Sequence, residues 1–206
     1  MNTHTQTIFR DAAIEDCPTV AQLMRIASDG VCDYIWSLQQ KEFPSLTPIE
    51  IGAKRYAEDE GNFSYRNCTI ALSSDRSENL PIQGMVMAFA VPPETAVESP
   101  QDLPEEIGLE ILAPYMMEHP NSWYICALAV FPQYRGQGIG TQLLDLAIKQ
   151  AKERRLPTLS LLCFEQNTGA LRLYQRYGFE IIDHAKVVPH PLIHHTGDIL
   201  LMTKSV

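Results

Sequence analysis

A glycine-rich turn is the feature that most restricts how this chain can fold. In RGQGIG, residues 135–140, glycine occupies every second position from Gly136 onward. The turn follows the apolar run ALAVF and precedes an amphipathic helical pattern that begins at Ile139. Glycine permits a tight turn and a close approach of the backbone to a ligand, and the first amides of a helix attract an anion. The sequence therefore predicts a strand, an anion-binding turn and a helix in immediate succession.

Two common nucleotide-binding motifs do not fit this turn. A dinucleotide fingerprint requires glycine or alanine three residues after Gly138, where this chain has Thr141, and the Gly-Lys-Ser/Thr ending of a P-loop is absent. Arg135 adds a positive charge beside the start of the helix. A pyrophosphate group suits this arrangement. The alternative is that the glycines and Arg135 only make a compact connection.

A second pattern follows in NTGALRLYQRYGF. Asn167 is a good helix N-cap, and Gly178 is a good C-terminal stop. Tyr174 lies about two helical turns after Asn167, which places both side chains near one edge of the helix, about 10 Å apart. Both can then contact one extended ligand. The alternative is that Asn167 only caps the helix and Tyr174 packs in the core.

The remaining pattern predicts an α/β or α+β protein with helices on both faces of a sheet. Its elements are a strand at 7–12, a helix at 17–27, helical segments at 31–38 and 47–61, strands at 68–73, 82–91 and 123–131, a helix at 139–154, a strand at 159–164, a helix at 168–177, and strands at 179–188 and 198–204.

Composition narrows the class of protein. A chain of 206 residues predicts one domain, and the net charge of -9 argues against a nucleic-acid partner, because such binding neutralises phosphates with Lys and Arg. Five scattered cysteines indicate a reducing cytoplasm and no structural zinc. We expect no membrane association, since no apolar run is long enough to cross a bilayer and no signal-peptide pattern is present. His184, His190, His194 and His195 lack the spacing of a metal site and are expected in loops.

An acidic, proline-rich insertion is predicted at about residues 92–120. It contains seven carboxylates, six prolines and no Lys or Arg. Its apolar side chains are numerous enough to dock it onto the main body of the protein: Ile107, Leu109, Ile111, Leu112, Tyr115, Met116 and Met117.

The two motifs resemble those of the GNAT superfamily of acetyl-CoA-dependent N-acetyltransferases. RGQGIG matches the family's Arg/Gln-x-x-Gly-x-Gly/Ala signature, and NTGALRLYQRYGF is similar to its following helix. The resemblance covers residues 122–182. It implies a mixed, mostly antiparallel central sheet flanked by helices on both faces, with acetyl-CoA as the acetyl donor.

The resemblance also implies roles for individual residues. The backbone of Leu128, Ala129 and Val130 would pair with the pantetheine arm of the donor. The turn would wrap the pyrophosphate, through Arg135, Gly136, Gln137, Gly138, Ile139, Gly140 and Thr141. Asn167, with Ala170 in the same helix, would contact the pantetheine region, and Tyr174 would lie by the sulfur and donate a proton to the departing thiolate.

The general base is harder to assign. Many family members carry a carboxylate on the central strand, but no Asp or Glu occurs from Trp123 to Val130. Tyr124 and Cys126 lie on that strand, although such residues are more often core. Asp33 and Glu118 are further candidates.

The acceptor is expected to be a primary amine of a small molecule. Asp33, Tyr34, Trp36 and Tyr124 are candidates for an anionic, aromatic acceptor wall, and the alternative is that the acids are solvated and the aromatics are core. Two other hypotheses remain open: an acceptor amine on a peptide or protein, and a non-catalytic acyl-CoA-binding regulatory module. A homodimer is common in the family and is possible here.

Overall fold

The computed structural model describes residues 7–73, 81–93 and 109–206. Within those residues the chain forms six α-helices and seven strands. The helices are α1 Cys17–Ser28, α2 Val31–Leu38, α3 Pro48–Tyr56, α4 Leu109–Leu112, α5 Ile139–Glu153 and α6 Thr168–Arg176. The strands are β1 Thr7–Asp11, β2 Cys68–Ser73, β3 Ile82–Val91, β4 Ser122–Val130, β5 Thr158–Phe164, β6 Glu180–Lys186 and β7 Asp198–Ser205.

The strands form one sheet in the order β1-β2-β3-β4-β5-β7-β6. β1 pairs with β2, β2 with β3, β5 with β7 and β6 with β7 in antiparallel fashion, whereas β4 pairs with β5 in parallel. The predicted mixed, mostly antiparallel α/β architecture is therefore confirmed.

One predicted helix is shorter than its sequence pattern suggested. α3 ends at Tyr56 instead of reaching Gly61, and the amide of Ala57 closes its last turn on the Ala53 carbonyl. Glu58, Asp59 and Glu60 follow, and carboxylates at a helix C-terminus oppose the helix dipole. Asp59 instead accepts hydrogen bonds from Tyr65 and Arg66.

The chain forms two compact units. Among the described residues, the first comprises 7–73, 81–88 and 127–146, and the second comprises 89–93, 109–126 and 147–206. In the first unit, α1, α2 and α3 pack against one another, and the indole of Trp36 is buried beside Gly52. A Cβ at Gly52 would lie 2.5 Å from that indole, so only glycine leaves room for it. A single domain over residues 1–206 stays a prediction from the sequence.

The second unit is built on β5, β6 and β7. The hydroxyls of Ser122 and Ser160 share a buried hydrogen bond of 2.6 Å where β4 and β5 pair. The guanidinium of Arg154 lies over the Trp123 ring, 4.2 Å from its centroid. These contacts fix the start of β4, which leads to the glycine turn.

The predicted insertion is described only in part, because residues 94–108 lie outside the described residues. Its C-terminal portion forms α4 and a 3-10 turn at Ala113–Met116 that contacts β6. Leu112 and Pro114 are buried. The 3-10 turn therefore packs against β6. Of the apolar side chains predicted to dock the insertion, Leu112 is buried, Leu109 and Met116 are exposed, and Ile107 lies outside the described residues. In the described part of the chain, no helix combines the length and the apolar character needed to cross a membrane.

Candidate active site

The glycine turn opens α5 as predicted. Gly136 and Gly138 have φ angles of 75° and 83°, a left-handed conformation that side chains rarely adopt. The amide of Gln142 donates to the Gly138 carbonyl at 3.0 Å, which closes the first helical turn. A Cβ at Gly136 would meet no atom within 4 Å, and one at Gly138 would meet only the Gln142 side chain, at 3.9 Å. The turn thus leaves open space in front of a helix N-terminus.

The residues of this turn, which belongs to the first unit, are mostly exposed. Arg135, Gly136, Gln137 and Gly138 are all exposed, whereas Ile139 is buried and anchors the helix. The Nε of Arg135 donates to the Val130 carbonyl at 3.1 Å, which holds the guanidinium beside the turn. Exposed glycine-rich backbone at a helix start and a guanidinium held beside it suit a pyrophosphate group, and its binding here stays a prediction.

The end of β4 leads into the turn. The pairing of β4 with β5 runs from Ser122 to Ile125, whereas β4 itself continues to Val130. Leu128 and Val130 are partly exposed, and Ala129 between them is buried. A Cβ at Gly140 would lie 3.8 Å from both the Leu128 and the Val130 side chains, so the start of α5 lies against these residues.

Asn167 caps α6. Its side-chain oxygen accepts a hydrogen bond from the Ala170 amide at 3.2 Å, and the residue is exposed. The capping role that the sequence left as an alternative is present, and Thr168–Arg176 follow as a helix. A contact between Asn167 and a ligand stays a prediction.

Tyr174 faces the interior of the second unit. Its side chain is 7% exposed, and its ring centroid lies 5.7 Å from that of Phe179. Burial, with a smaller contribution from neighbouring Cys163, raises the pKa of the Tyr174 phenol well above its usual value. The phenol therefore keeps its proton throughout the neutral range.

The residues predicted for the acceptor wall lie in different environments. Trp36 is 1% exposed, with its ring 6.3 Å from that of Tyr56, which is a core position. Tyr34 is buried. Asp33 binds the guanidinium of Arg25 in an ion pair. These contacts agree with the structural alternative for Trp36 and leave the charge of Asp33 compensated.

Tyr124 belongs to a cluster in the second unit. Its ring centroid lies 5.4 Å from that of Phe89, and Val91 completes the buried group. Burial raises the pKa of Tyr124 well above its usual value, and the charges of Cys126 and Glu118 add to the shift. Tyr124 thus stays protonated, which makes it unsuited to the role of base in this environment.

An aromatic contact in the second unit was not predicted from the sequence. The centroid of the Phe164 ring lies 6.0 Å from that of the Tyr115 ring and 4.3 Å from that of the His195 ring. The sequence pattern predicted only an apolar role for Tyr115 and a loop position for His195. No sequence signal links residues so far apart in the chain. Among the described residues, no group of three or more His, Cys, Asp or Glu side chains is arranged to hold a metal ion.

The sequence profile of the acetyltransferase (GNAT) family matches residues 32–179, which is more than half of the chain. The chain belongs to the acetyltransferase (GNAT) family. Both motifs, the turn at Arg135–Gly140 and the helix from Asn167, lie inside the matched range.

Individual relatives match shorter segments. An uncharacterized N-acetyltransferase of Methanocaldococcus jannaschii is 45% identical over 51 residues, covering 25% of this chain and 23% of the relative. A peptidyl-lysine N-acetyltransferase of Salmonella typhimurium is 32% identical over 97 residues, covering 45% of this chain and 58% of the relative. The matched segments span only 23% to 58% of the lengths of the curated relatives.

Solved structures of this family share the fold. Arabidopsis thaliana Naa50, in complex with the bisubstrate analogue CoA-Ac-MVNAL, superposes with a TM-score of 0.58 at 16% identity. The superposition covers 97% of this chain and 99% of that chain. At this identity the likeness establishes the GNAT fold over nearly the whole chain.

Proposed function

We propose that this GNAT-family protein transfers an acetyl group from acetyl-CoA to the primary amine of a small molecule. The observation that carries the proposal is the exposed turn at Arg135–Gly138 at the start of α5. It has two left-handed glycines with open space beside them and a guanidinium held by the Val130 carbonyl. An acyl-CoA donor carries a pyrophosphate, and this is the group that such a turn accommodates.

The residues that fit the donor are those that the family resemblance assigns. In the first unit, Leu128–Val130 lie on β4 beyond its last pair with β5 and are assigned the pantetheine arm, and residues 135–141 are assigned the pyrophosphate. In the second unit, Asn167 and Ala170 form the first turn of α6 and are assigned the pantetheine region. The local structure that supports each of these donor-binding residues lies within the unit that contains the residue.

Tyr174 is proposed as the general acid. Acetyl-CoA supplies an activated thioester carbonyl, and its thiolate leaves most readily when it gains a proton. Tyr174 keeps its proton at neutral pH because even an unperturbed phenol has a pKa near 10, and burial raises the pKa further. Its hydroxyl can then donate that proton to the thiolate.

The charge of the protein favours a cationic acceptor. A net charge of -9 attracts ammonium compounds and disfavours anionic ones. A second candidate acceptor is the amine of a peptide or protein side chain, because one relative is named a peptidyl-lysine N-acetyltransferase. A non-catalytic acyl-CoA-binding module is the third possibility.

A homodimer and a cytoplasmic location stay predictions.

A thiol-release assay tests the proposal. Acetyl-CoA is mixed with the protein and with a panel of aliphatic, aromatic and polycationic small amines, and separately with peptides that carry a free lysine or α-amino group. Free CoA should appear only with small amines. Turnover confined to peptides would favour the second candidate, and CoA binding without any turnover would favour the third.

A further inference from the structure

A reciprocal pair of hydrogen bonds joins the β5–α6 connection to the β6–β7 connection in the second unit. The Nε2 group of Gln166 donates to the Thr196 hydroxyl at 2.9 Å, and the Thr196 amide donates to the Oε1 atom of Gln166 at 3.3 Å. One side-chain amide therefore uses its donor and its acceptor on a single residue that lies 30 positions away in the chain. Two such bonds to one residue fix the orientation of the Gln166 side chain.

This pair continues the contact between β5 and β7 beyond the end of β5. Phe164 is the last residue of β5 that pairs with β7, and the Glu165 amide still donates to the Asp198 carbonyl at 2.9 Å. The backbone then turns into α6, because the Asn167 amide donates to the Phe164 carbonyl at 2.9 Å. The Gln166 side chain adds two further hydrogen bonds between the same two segments at the point of this turn.

The residues on either side of the pair support the same arrangement. Gly197 has a φ of 85°, and a Cβ there would lie 3.4 Å from the Glu165 carboxylate and 3.8 Å from the Gln166 Nε2 atom. Glycine therefore allows both the left-handed backbone and the close approach to the turn after β5. The centroid of the His195 ring lies 4.3 Å from that of the Phe164 ring, which adds a ring contact to the hydrogen bonds.

The turn held in this way leads directly to Asn167. The Asn167 Oδ1 atom accepts a hydrogen bond from the Ala170 amide at 3.2 Å, which caps α6. The residue is exposed, and within the described residues its Nδ2 group donates no hydrogen bond. The direction of the Nδ2 group therefore depends on the cap and on the backbone that Gln166 holds.

We propose that Gln166 is a positioning residue for the donor, because through Thr196 it fixes the first turn of α6 and so directs the Asn167 side chain toward the pantetheine region. The inference rests on the proposed function, which assigns Asn167 to that region. A group that is held in place before the ligand arrives loses less freedom on binding, so affinity rises.

The pair should affect donor binding more than turnover. Tyr174, the proposed acid, is held by separate contacts, since the Phe179 amide donates to the Tyr174 carbonyl at 3.0 Å and the two ring centroids lie 5.7 Å apart. Loss of the Gln166 pair loosens the start of α6 and leaves these contacts in place. The expected result is a raised KM for acetyl-CoA with a kcat near the wild-type value.

Calorimetric titration with CoA, and kinetics with acetyl-CoA and the amine that the wild-type protein acetylates, test the inference. Gln166→Ala removes both hydrogen bonds and should raise the Kd for CoA and the KM for acetyl-CoA about three- to tenfold. Gln175→Ala, a matched change at an exposed glutamine of α6, should leave both values unchanged. Thermal unfolding shows whether each variant is folded, and Gln166 and Thr196 are both exposed.

Variants of Thr196 separate positioning from a direct contact between Gln166 and the ligand. Thr196→Val removes the hydroxyl and keeps the amide, so it should raise the Kd for CoA about two- to fourfold. Thr196→Ser keeps both groups and should match the wild-type protein. Thr196→Val added to Gln166→Ala should cause no further loss, because the pair is already broken. Additive losses, or a wild-type Kd in Thr196→Val, would overturn the inference.

A change at Asn167 tests the last step of the inference. Asn167→Ser retains a capping oxygen and lacks the amide donor. In that background, Gln166→Ala should change the Kd for CoA less than about twofold, because the group that Gln166 positions is gone. A loss as large as in the wild-type background would show that Gln166 acts on the donor by another route, which contradicts the inference.

The outcomes are distinguishable. If the wild-type protein binds CoA and Gln166→Ala binds it equally well, the inference fails while the proposed function stands. A Gln166→Ala variant that loses stability and kcat but keeps the wild-type Kd for CoA would show a structural role only, and this also overturns the inference. If the wild-type protein releases no CoA with any amine, the proposed function itself fails.

Discussion

Gly84 on β3 lies directly against Ala129 on β4. A Cβ added at Gly84 would come within 2.5 Å of the Ala129 carbonyl oxygen and 3.2 Å of the Val130 Cα. Both contacts are with backbone atoms, which cannot rotate away. β3 is also irregular here, because its register with β2 shifts beside Gly84, between Ala71 and Leu72. The position of the strand end assigned to the pantetheine arm therefore depends on a glycine.

Gly84→Ala should destabilise the protein by about 1–3 kcal/mol, because the new methyl group forces β4 to shift. Urea denaturation measures the change. Gly169→Ala is the matched control, since a Cβ at Gly169 would meet only the Asn167 side chain, at 3.9 Å. Equal stability of the Gly84→Ala variant and the wild-type protein would show that β4 tolerates the methyl group.

Two glycines of the turn should respond differently to alanine. Gly138 has a φ of 83°, and a side chain in the left-handed region costs about 1–2 kcal/mol. Gly138→Ala should therefore weaken acetyl-CoA binding. Gly140→Ala should leave it nearly unchanged, because its Cβ would make ordinary contacts at 3.8 Å.

Calorimetric titration with CoA measures both variants of the turn, and thermal unfolding shows whether each is folded. If Gly138→Ala and Gly140→Ala lose the same affinity for CoA, the left-handed backbone conformation at Gly138 is not required for CoA binding.

Tyr174→Phe removes the proposed acid and keeps the ring against Phe179. We expect kcat to fall about 10²- to 10⁴-fold with little change in CoA affinity. Tyr177→Phe, one position after α6 ends, is the matched control and should retain kcat. A Tyr174→Phe variant with wild-type kcat at every pH would exclude Tyr174 as the acid.

Asp16 makes stability depend on pH. It accepts hydrogen bonds from Arg10 at 2.7 Å and from the Ala13 amide at 2.7 Å. Burial alone would raise the pKa of Asp16, but these hydrogen bonds outweigh burial and lower it. A lowered folded-state pKa contributes stability that is present above the unfolded value, near 3.9, and is lost as the pH falls through the lower folded value.

Asp16→Asn should therefore cost about 1–3 kcal/mol at pH 7 and should flatten the fall in stability below pH 4. Denaturation series at several pH values test this. Asp11→Asn, at an exposed neighbouring carboxylate, is the control. If wild type and Asp16→Asn lose stability in parallel as the pH falls, the Asp16 carboxylate is not the source of the pH dependence.

Local patterns predicted most of the fold. Residues close in sequence determine the glycine turn, the Asn167 cap, and the strands and helices outside the insertion. The periodicity and the end signals of these elements can be read directly from the sequence. The early end of α3 was missed because the acids after Ala57 were counted as helical. The two motifs assigned to the donor could be recognised because each consists of residues that are adjacent in the sequence.

Contacts between distant residues could not be predicted. The approach of Gly84 to Ala129 and the contact of Tyr115 with Phe164 arise from how strands and segments pack. Trp36 is another residue whose environment depends on a distant contact. Its position near acidic residues in the sequence predicted a binding wall, whereas the structure places it beside Gly52 in the core. Acceptor recognition depends on such contacts, whereas the donor motif is local.

The most direct test of the account is the mass of an amine after incubation with acetyl-CoA and the protein. The account predicts that a cationic small amine gains one acetyl group with the wild-type protein, and that Tyr174→Phe, which still binds CoA, produces it at least about a hundredfold more slowly. An amine panel that gains no acetyl mass, from a protein that binds CoA, would contradict the account.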